Sequence, residues 1–234
     1  MTKSICLIPA KGASTRLPNK NKLPLDGKPL VTIAIEKALK SAMFDEVCVS
    51  TEDLELSEMA KNAGASVPFI RPESLSHDPA TIVDVMLHAI AYYEQNNCYF
   101  DDITVLLPTS PFVDVEDIIK AHEVFNNAGR NALLSVTEAE FPPYNAWLTK
   151  GEGKEKKLAP CFPDSPFKNT KSTECPVSYR SNGAILIVNV AGLKSGKGYK
   201  HMDIVPYIMP AERSLDIDVQ LEYEFAKFLT EYKK

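Results

Sequence analysis

Ile5-Cys-Leu-Ile-Pro-Ala-Lys-Gly-Ala-Ser-Thr-Arg-Leu-Pro-Asn-Lys-Asn-Lys22 decides how the rest of the chain is read. Cys6, Leu7 and Ile8 form an apolar run of strand length, which breaks at Pro9 into a loop of small residues holding Ala10, Gly12, Ala13 and Ser14. Between residues 11 and 28, five basic residues (Lys11, Arg16, Lys20, Lys22 and Lys28) stand against one acid, Asp26, in a chain whose net charge is -5. A buried strand opening into a small, basic loop is how phosphate sites are built. Small residues let backbone N–H groups approach the oxygens, and Lys or Arg neutralises their charge. The loop follows neither phosphate-loop formula, since no Gly-Lys-Ser/Thr closes it and G-x-G-x-x-G is absent. A solvated basic loop is the competing reading.

The 234 residues can bury a large core and suit one α/β domain. The hydrophobic content of 44% and charged content of 24% exclude a fibrous or disordered chain. A negative total argues against a general nucleic-acid or anionic-membrane binder, so the basic loop is a local device. No apolar run reaches bilayer-spanning length and the first residues lack an h-region, which gives the expectation of a cytoplasmic protein. Cys6, Cys48, Cys98, Cys161 and Cys175 lack C-x-x-C spacing and read as buried reduced thiols. His77, His88, His122 and His201 show no metal-ligand spacing; His88 and His122 fall in helical segments and read as structural.

Past the loop, Asp26-Gly27 turns the chain and Pro29 opens a helix carrying Leu30, Ile33, Ala34 and Leu39. Residues 44–51 read as a second strand, 54–62 as a helix stopped by Gly64, and 66–70 as a third strand leading to Arg71-Pro72. Thr81 with Asp84 has the capping-box pattern, ahead of a helix with Val85, Met86, Ala89 and Ile90 inward. Residues 103–107 form the most hydrophobic strand. Asp114 caps a helix with Ile118, Ala121 and Phe125, and 132–136 is a fifth strand. Apolar strands alternating with helices predict a parallel sheet covered on both faces. The loops at 11–22, 51–53, 71–78 and 108–111 then converge at one sheet edge.

Between 138 and 178 the regularity fails, with prolines at 142, 143, 160, 163, 166 and 176 and a Lys cluster at 154–157. Phe141, Tyr144, Trp147, Phe162 and Phe167 are costly to leave in water, so the stretch is a mobile loop or, preferably, an arm packed on a partner. Strands at 183–190 and 205–209 follow. A final helix has Leu221, Phe225, Phe228 and Leu229 inward and Asp218 as its natural N-cap.

Asp216 and Asp218 alternate across Ile217, so an extended segment points both carboxylates to one side. Such a pair is costly without a cation, and Mg2+ is the natural occupant beside phosphates. Otherwise Asp218 caps the helix and Asp216 pairs with Arg213.

Ile8-Pro-Ala-Lys-Gly-Ala-Ser14, Pro18-Asn-Lys-Asn21, Gly27-Lys-Pro-Leu30, Val49-Ser-Thr51, Pro68-Phe-Ile-Arg-Pro72, Pro108-Thr-Ser-Pro111, Pro142-Pro-Tyr144, Asn182-Gly-Ala184 and Glu212-Arg-Ser-Leu-Asp-Ile-Asp218 occur in order. Together, across about residues 4–230, they resemble the acylneuraminate cytidylyltransferases, which make CMP-activated sialic acids and related nine-carbon sugars. The resemblance implies a Rossmann-like, three-layer nucleotide-diphospho-sugar transferase fold with a mostly parallel sheet. It implies a single domain over 1–234, with 138–178 inserted as a protruding dimerisation arm and a homodimer as the assembly. The implied reaction is attack by the anomeric hydroxyl of a nine-carbon 2-keto-3-deoxy sugar acid on the α-phosphate of CTP, giving a CMP-sugar and pyrophosphate. In that reading Ala10, Lys11, Gly12, Ser14 and Lys20 surround the triphosphate, and Asn21 and Arg71 contact the cytidine. Asp216 and Asp218 carry Mg2+ and, with Lys11 and Lys20, form the catalytic set. Thr109, Ser110, Tyr179, Arg180 and Asn182 face the sugar, Arg180 taking its carboxylate.

Three departures stand out. Lys11 replaces the family's usual Arg, which makes bidentate phosphate contacts that Lys does not. Ala13 replaces a second Gly. Leu107 stands where the sialic-acid enzymes have a Gln expected to touch the sugar, which points toward a relative of N-acetylneuraminate such as pseudaminic or legionaminic acid. The Pro-Pro-Tyr and Asn-Gly-Ala segments resemble the sialic and legionaminic enzymes more than the pseudaminic ones. Two rival readings remain: a glycosyltransferase using Asp216-Ile-Asp218 as a D-x-D, and a catalytically silent nucleotide-binding homologue.

Overall fold

The computed structural model describes residues 2–153, 156–196 and 198–232. In chain order it contains β1 (Ser4–Pro9), the two-residue strands β2 (Pro24–Leu25) and β3 (Lys28–Pro29), α1 (Leu30–Ser41), β4 (Glu46–Ser50) and α2 (Leu54–Asn62). Then follow α3 (Ile82–Gln95), β5 (Asp102–Leu106), α4 (Val115–Asn127), β6 (Ala132–Glu138), β7 (Trp147–Lys150) and β8 (Lys157–Pro160). The chain closes with β9 (Tyr179–Asn189), α5 (Val190–Lys194), β10 (Ile204–Ile208) and α6 (Gln220–Tyr232).

Six strands form one sheet in the order β10-β6-β9-β5-β1-β4. Strand β1 pairs in parallel with β4 and β5, and β10 pairs in parallel with β6, while β9 runs antiparallel to both β5 and β6. Five strands therefore point one way and β9 alone is reversed. Period-2 alternation along β1 builds the layers. Cys6 and Ile8 pack with Val31 and Ile35 of α1, Leu56 of α2 and Phe125 of α4. Ile5 and Leu7 pack on the other face with Met86 and Ile90 of α3 and Leu193 of α5. The result is a three-layer α/β/α molecule with a mostly parallel central sheet, as expected.

Helix starts follow the sequence closely. Thr81 with Asp84 and Asp114 with Asp117 are both formed capping boxes, and Asp53 caps α2 by accepting from the Leu56 N–H at 3.0 Å. Gly64, just past α2, has φ +93. Buried His122 on α4 bonds Thr104 of β5 at 3.1 Å, the structural role anticipated for it. Of the thiols only Cys6 and Cys48 are buried; Cys98, Cys161 and Cys175 are partly exposed.

Four expectations need correction. The segment at 66–70 makes one bridge, Ser66 to Cys48, and no strand, because Pro68 has no N–H to continue the ladder. The strand expected at 183–190 begins at Tyr179 and is antiparallel. Its link from β6 is the arm, which folds back like a hairpin connection where a crossover helix would give a parallel neighbour. Asp218 does not cap α6, since its carboxylate is taken by Lys20 and Arg16. The inward face of α6 is also different. Tyr223 and Ala226 are buried, Tyr223 donating its hydroxyl to the Pro24 carbonyl, whereas Leu221, Phe225 and Phe228 are exposed. Two apolar stripes compete on this helix, and the one that also satisfies a polar group wins.

Between β6 and β9 the arm holds a two-stranded antiparallel hairpin, β7 with β8, at Trp147–Lys150 and Lys157–Pro160. Phe141, Trp147, Leu148, Leu158 and Phe162 are exposed on it, while Tyr144 meets Phe167 with ring centroids 5.0 Å apart. Lys154 and Glu155 of the anticipated Lys cluster lie outside the described residues. No helix among the described residues is long and apolar enough to cross a membrane.

Candidate active site

The loop after β1 is fixed by polar bonds on two sides. On the β4 side, the Ala10 N–H donates to the Ser50 carbonyl at 3.0 Å and the Gly12 N–H to Glu52 Oε1 at 2.7 Å. Lys22 Nζ lies 2.8 Å from Asp53 and 2.6 Å from Glu55. On the side of the segment after β10, Lys20 Nζ is 2.7 Å from Asp218 Oδ1 and the Arg16 guanidinium 2.6 Å from Asp218 Oδ2. Leu17 from the loop and Ile217 from between the two acids are buried in one cluster with Leu30 and Tyr223, so apolar packing holds the two segments against each other. Gly12 has a steric reason: a Cβ there would sit 2.4 Å from Asp53 Oδ2.

The acid segment has its own anchors. Arg213 makes a bidentate pair with buried Asp117 at 2.8 and 3.0 Å, and Tyr207 donates to the same carboxylate. The Ile217 N–H donates to the Thr109 carbonyl at 2.8 Å, bringing the 108–111 loop under the acids. Gly183 takes the left-handed backbone, φ +71, that favours glycine, and lies beside Asp216, whose Oδ2 is 3.4 Å from where a Cβ would be. The Thr109 hydroxyl beside Asp216 works to lower its carboxyl, yet Asp216 Oδ1 is buried with no partner. Burial and the neighbouring Asp218 raise the Asp216 carboxyl above its ordinary value. Burial also pushes at Asp218, but Lys20 and Arg16 outweigh it and hold that carboxyl low.

Arg71 is 4% exposed. It is held by Glu52 at 2.6 Å and donates to the Ser76 hydroxyl at 3.1 Å, which itself donates to Glu52. Burial works to raise Glu52, while backbone N–H groups, Gly12's among them, and Arg71 keep it below its ordinary value. Glu52 thus joins the small-residue loop to Arg71.

The anticipated convergence of the four loops is what the structure shows for residues 10–22, 51–53, 71–76 and 109. Lys11 is exposed and its carbonyl accepts from the Asn21 amide at 2.8 Å, so buried Asn21 serves the loop itself. Ser14 is half-exposed. Thr109 and Ser110 are buried, the Ser110 hydroxyl without a partner. Tyr179 and Arg180 are exposed at the start of β9 and line a cavity of about 320 Å³ with Phe141 and Pro143. Asn182 differs from these two. It is 1% exposed, and its amide is spent on Ser135, Ser214 and the Ala184 N–H. The D-x-D reading gains nothing, since Asp216 and Asp218 follow the sheet-edge strand β10. Nor does Asp216 pair with Arg213, whose partners are Asp117 and Asp114.

Sequence reasoning missed Glu52, Asp53 and the Asp117–Arg213 pair. A signal existed for the first two, because acids at the end of a parallel strand face the basic loop. Asp117 stood out in no motif of the sequence.

The cytidylyltransferase family model matches residues 5–186. The pseudaminic acid cytidylyltransferase of Campylobacter jejuni subsp. jejuni serotype O:2 is 33% identical over 97% of this chain and 96% of its own. The CMP-N,N'-diacetyllegionaminic acid synthase of Legionella pneumophila is 30% identical over 97% and 96%. The N-acylneuraminate cytidylyltransferase of Escherichia coli O18:K1:H7 is 33% identical over 96% of this chain and 51% of its own. Among solved structures, CMP:2-keto-3-deoxy-manno-octonic acid synthetase complexed with CTP superposes with a TM-score of 0.73 at 16% identity, covering all of both chains, which shows a shared fold. The chain belongs to the cytidylyltransferase family and is a nucleotidyltransferase.

Proposed function

We propose that this member of the cytidylyltransferase family joins CTP to a nine-carbon 2-keto-3-deoxy sugar acid, releasing pyrophosphate and a CMP-sugar. The observation that carries the reading is the meeting, at one sheet edge, of a basic small-residue loop with an acid pair that has a buried, unpartnered oxygen at Asp216 Oδ1. The relatives' names supply the substrate class, and their identities of 33, 30 and 33% do not rank pseudaminic, legionaminic and N-acylneuraminic acid.

Transfer of this kind depends on positioning and charge neutralisation. Ala10, Gly12 and Ser14 offer close backbone approach to the triphosphate. Lys11, Lys20 and Arg16 neutralise its oxygens, and Arg71, fixed by Glu52, faces the cytidine with Asn21. Asp216 and Asp218 fit a Mg2+ ion. No group of three or more metal-ligating side chains converges among the described residues, and Mg2+ beside phosphates is held by one or two carboxylates with phosphate oxygens completing its shell. When bound, Mg2+ supplies charge neutralisation at the phosphates. Arg180 pairs with the sugar carboxylate from the cavity it lines with Tyr179, while Thr109 and Ser110 shape the floor near the acids. Leu107, 3.5 Å from where a Gly183 Cβ would be, supports an apolar wall near Asp216, in keeping with a sugar that carries a deoxy or acylated position there. The exposed aromatics of the arm support a homodimer.

The test is pyrophosphate release from CTP and Mg2+ with a panel of nine-carbon keto acids, with Asp218→Ala beside the parent. Release that requires one sugar and collapses in the variant is expected. CTP binding without release on any sugar would overturn the reading.

A further inference from the structure

We propose that Asp218 is an exchange point, the internal counter-anion of Lys20 and Arg16 in the ligand-free chain and a cation ligand in the loaded one. Metal and triphosphate then enter as one unit and bind poorly apart. The inference rests on the reaction proposed above and adds to it a rule for how the site fills.

Both Asp218 oxygens are already engaged, Oδ1 by Lys20 at 2.7 Å and Oδ2 by Arg16 at 2.6 Å. The ammonium and guanidinium that would meet phosphate are thus cancelled by a carboxylate that would meet a dication. Asp216, one residue beyond Ile217, keeps a buried oxygen with no partner. Of the two acids, Asp216 has an oxygen that no protein group meets, while Asp218 is taken by the protein's own cations. Elsewhere in the loop the pattern repeats, with the Gly12 N–H held by Glu52 and Lys22 by Asp53 and Glu55.

Each ligand alone meets a penalty. A triphosphate that draws Lys20 and Arg16 away leaves Asp218 uncompensated beside Asp216 and the phosphates. A dication that draws Asp218 away leaves Lys20 and Arg16 facing it. With both ligands present, Lys20 and Arg16 turn to the phosphates while both carboxylates turn to the metal, and no charge is stranded. The coupling is reciprocal, so metal raises nucleotide affinity and nucleotide raises metal affinity by one factor.

Calorimetric titration of chelator-treated protein, without sugar acid, tests this directly. For the parent, CTP alone and Mg2+ alone should bind weakly and the Mg2+–CTP complex about 10²-fold more tightly than CTP alone. Asp218→Asn keeps the shape and removes the charge. It should bind metal-free CTP about 5- to 10-fold more tightly than the parent and lose most of the gain from Mg2+. The exposed Arg16 gives a second variant that does not threaten folding. Arg16→Gln should bind Mg2+ alone about 2- to 3-fold more tightly and metal-free CTP more weakly. Metal-free CTP binding no tighter in Asp218→Asn, or Mg2+ binding to the parent unaffected by CTP, would overturn the exchange while leaving the reaction standing. A parent that binds Mg2+–CTP in no form would overturn both.

Discussion

The loop at 10–22 and the arm at 139–178 are both poor in regular structure, and they are held in opposite ways. The loop carries its own ties: Ser50, Glu52, Asp53 and Asp218 take its donors, and Leu17 anchors it in a buried cluster. The arm has one short hairpin and a Tyr144–Phe167 contact, and leaves Trp147 and Phe141 in solvent. Irregular backbone is stable when polar groups are matched inside the chain, as in the loop. Where apolar side chains stay unmatched, as on the arm, the homodimer proposed above would supply the second surface.

The comparison is broken most decisively on the loop side. Asp216→Ala removes the acid with the orphaned oxygen and should lower pyrophosphate release by about 10²- to 10³-fold, with the melting temperature of the protein unchanged or raised, since a buried carboxylate costs stability. A loss of folding instead would make Asp216 structural and remove the contrast.

Next in size is pH. Burial holds the His122 imidazole down at about 4 in the fold, against about 6.5 in the unfolded chain. The unfolded state therefore binds the extra proton first. Stability from this group is complete above about pH 6.5 and is lost as pH falls toward 4, by about 3 kcal/mol. Chemical denaturation at pH 7 and pH 4.5 measures it, and His122→Gln should flatten that difference. Because His122 sits on α4 with Asp117, acid should loosen the anchor of the 211–218 segment; the arm packs on nothing in this network.

Gly12→Ala is a smaller blow. Its Cβ displaces Asp53, which both caps α2 and holds Lys22, so a loss of about 1–2 kcal/mol is expected with weaker CTP binding. Thermal melts and a CTP titration would show the two together. The arm should respond least: Trp147→Glu is expected to change monomer stability by under about 0.5 kcal/mol while shifting light scattering from dimer to monomer. A large loss of monomer stability would mean that Trp147 packs within its own chain.

Much of this was legible in the sequence. The strand-to-loop break at Pro9 and the capping patterns at Thr81 and Asp114 are local signals, and each became the feature it suggested; the alternation of Asp216, Ile217 and Asp218 is also local, and it buries Ile217 between the two acids. What escaped depended on distant partners. Whether α6 buries Phe225 or Tyr223 turns on a hydroxyl reaching the Pro24 carbonyl, and no period in the helix encodes that. Glu52 was invisible as a role because its partners Gly12, Arg71 and Ser76 lie 40, 19 and 24 residues away. The reversal of β9 follows from the arm's path, which composition does not report.

That path has one more consequence. The arm leaves and rejoins the body where the Ala139 N–H donates to the Ser178 carbonyl at 2.8 Å. Its two ends therefore meet at a point that a short hairpin turn would close equally well. Chain can be lengthened, shortened or exchanged beyond that junction at little cost to the sheet, because closing a longer excursion adds only slowly to the entropy lost. The arm is in this sense a cassette, free to diversify its surface while the catalytic body keeps its geometry.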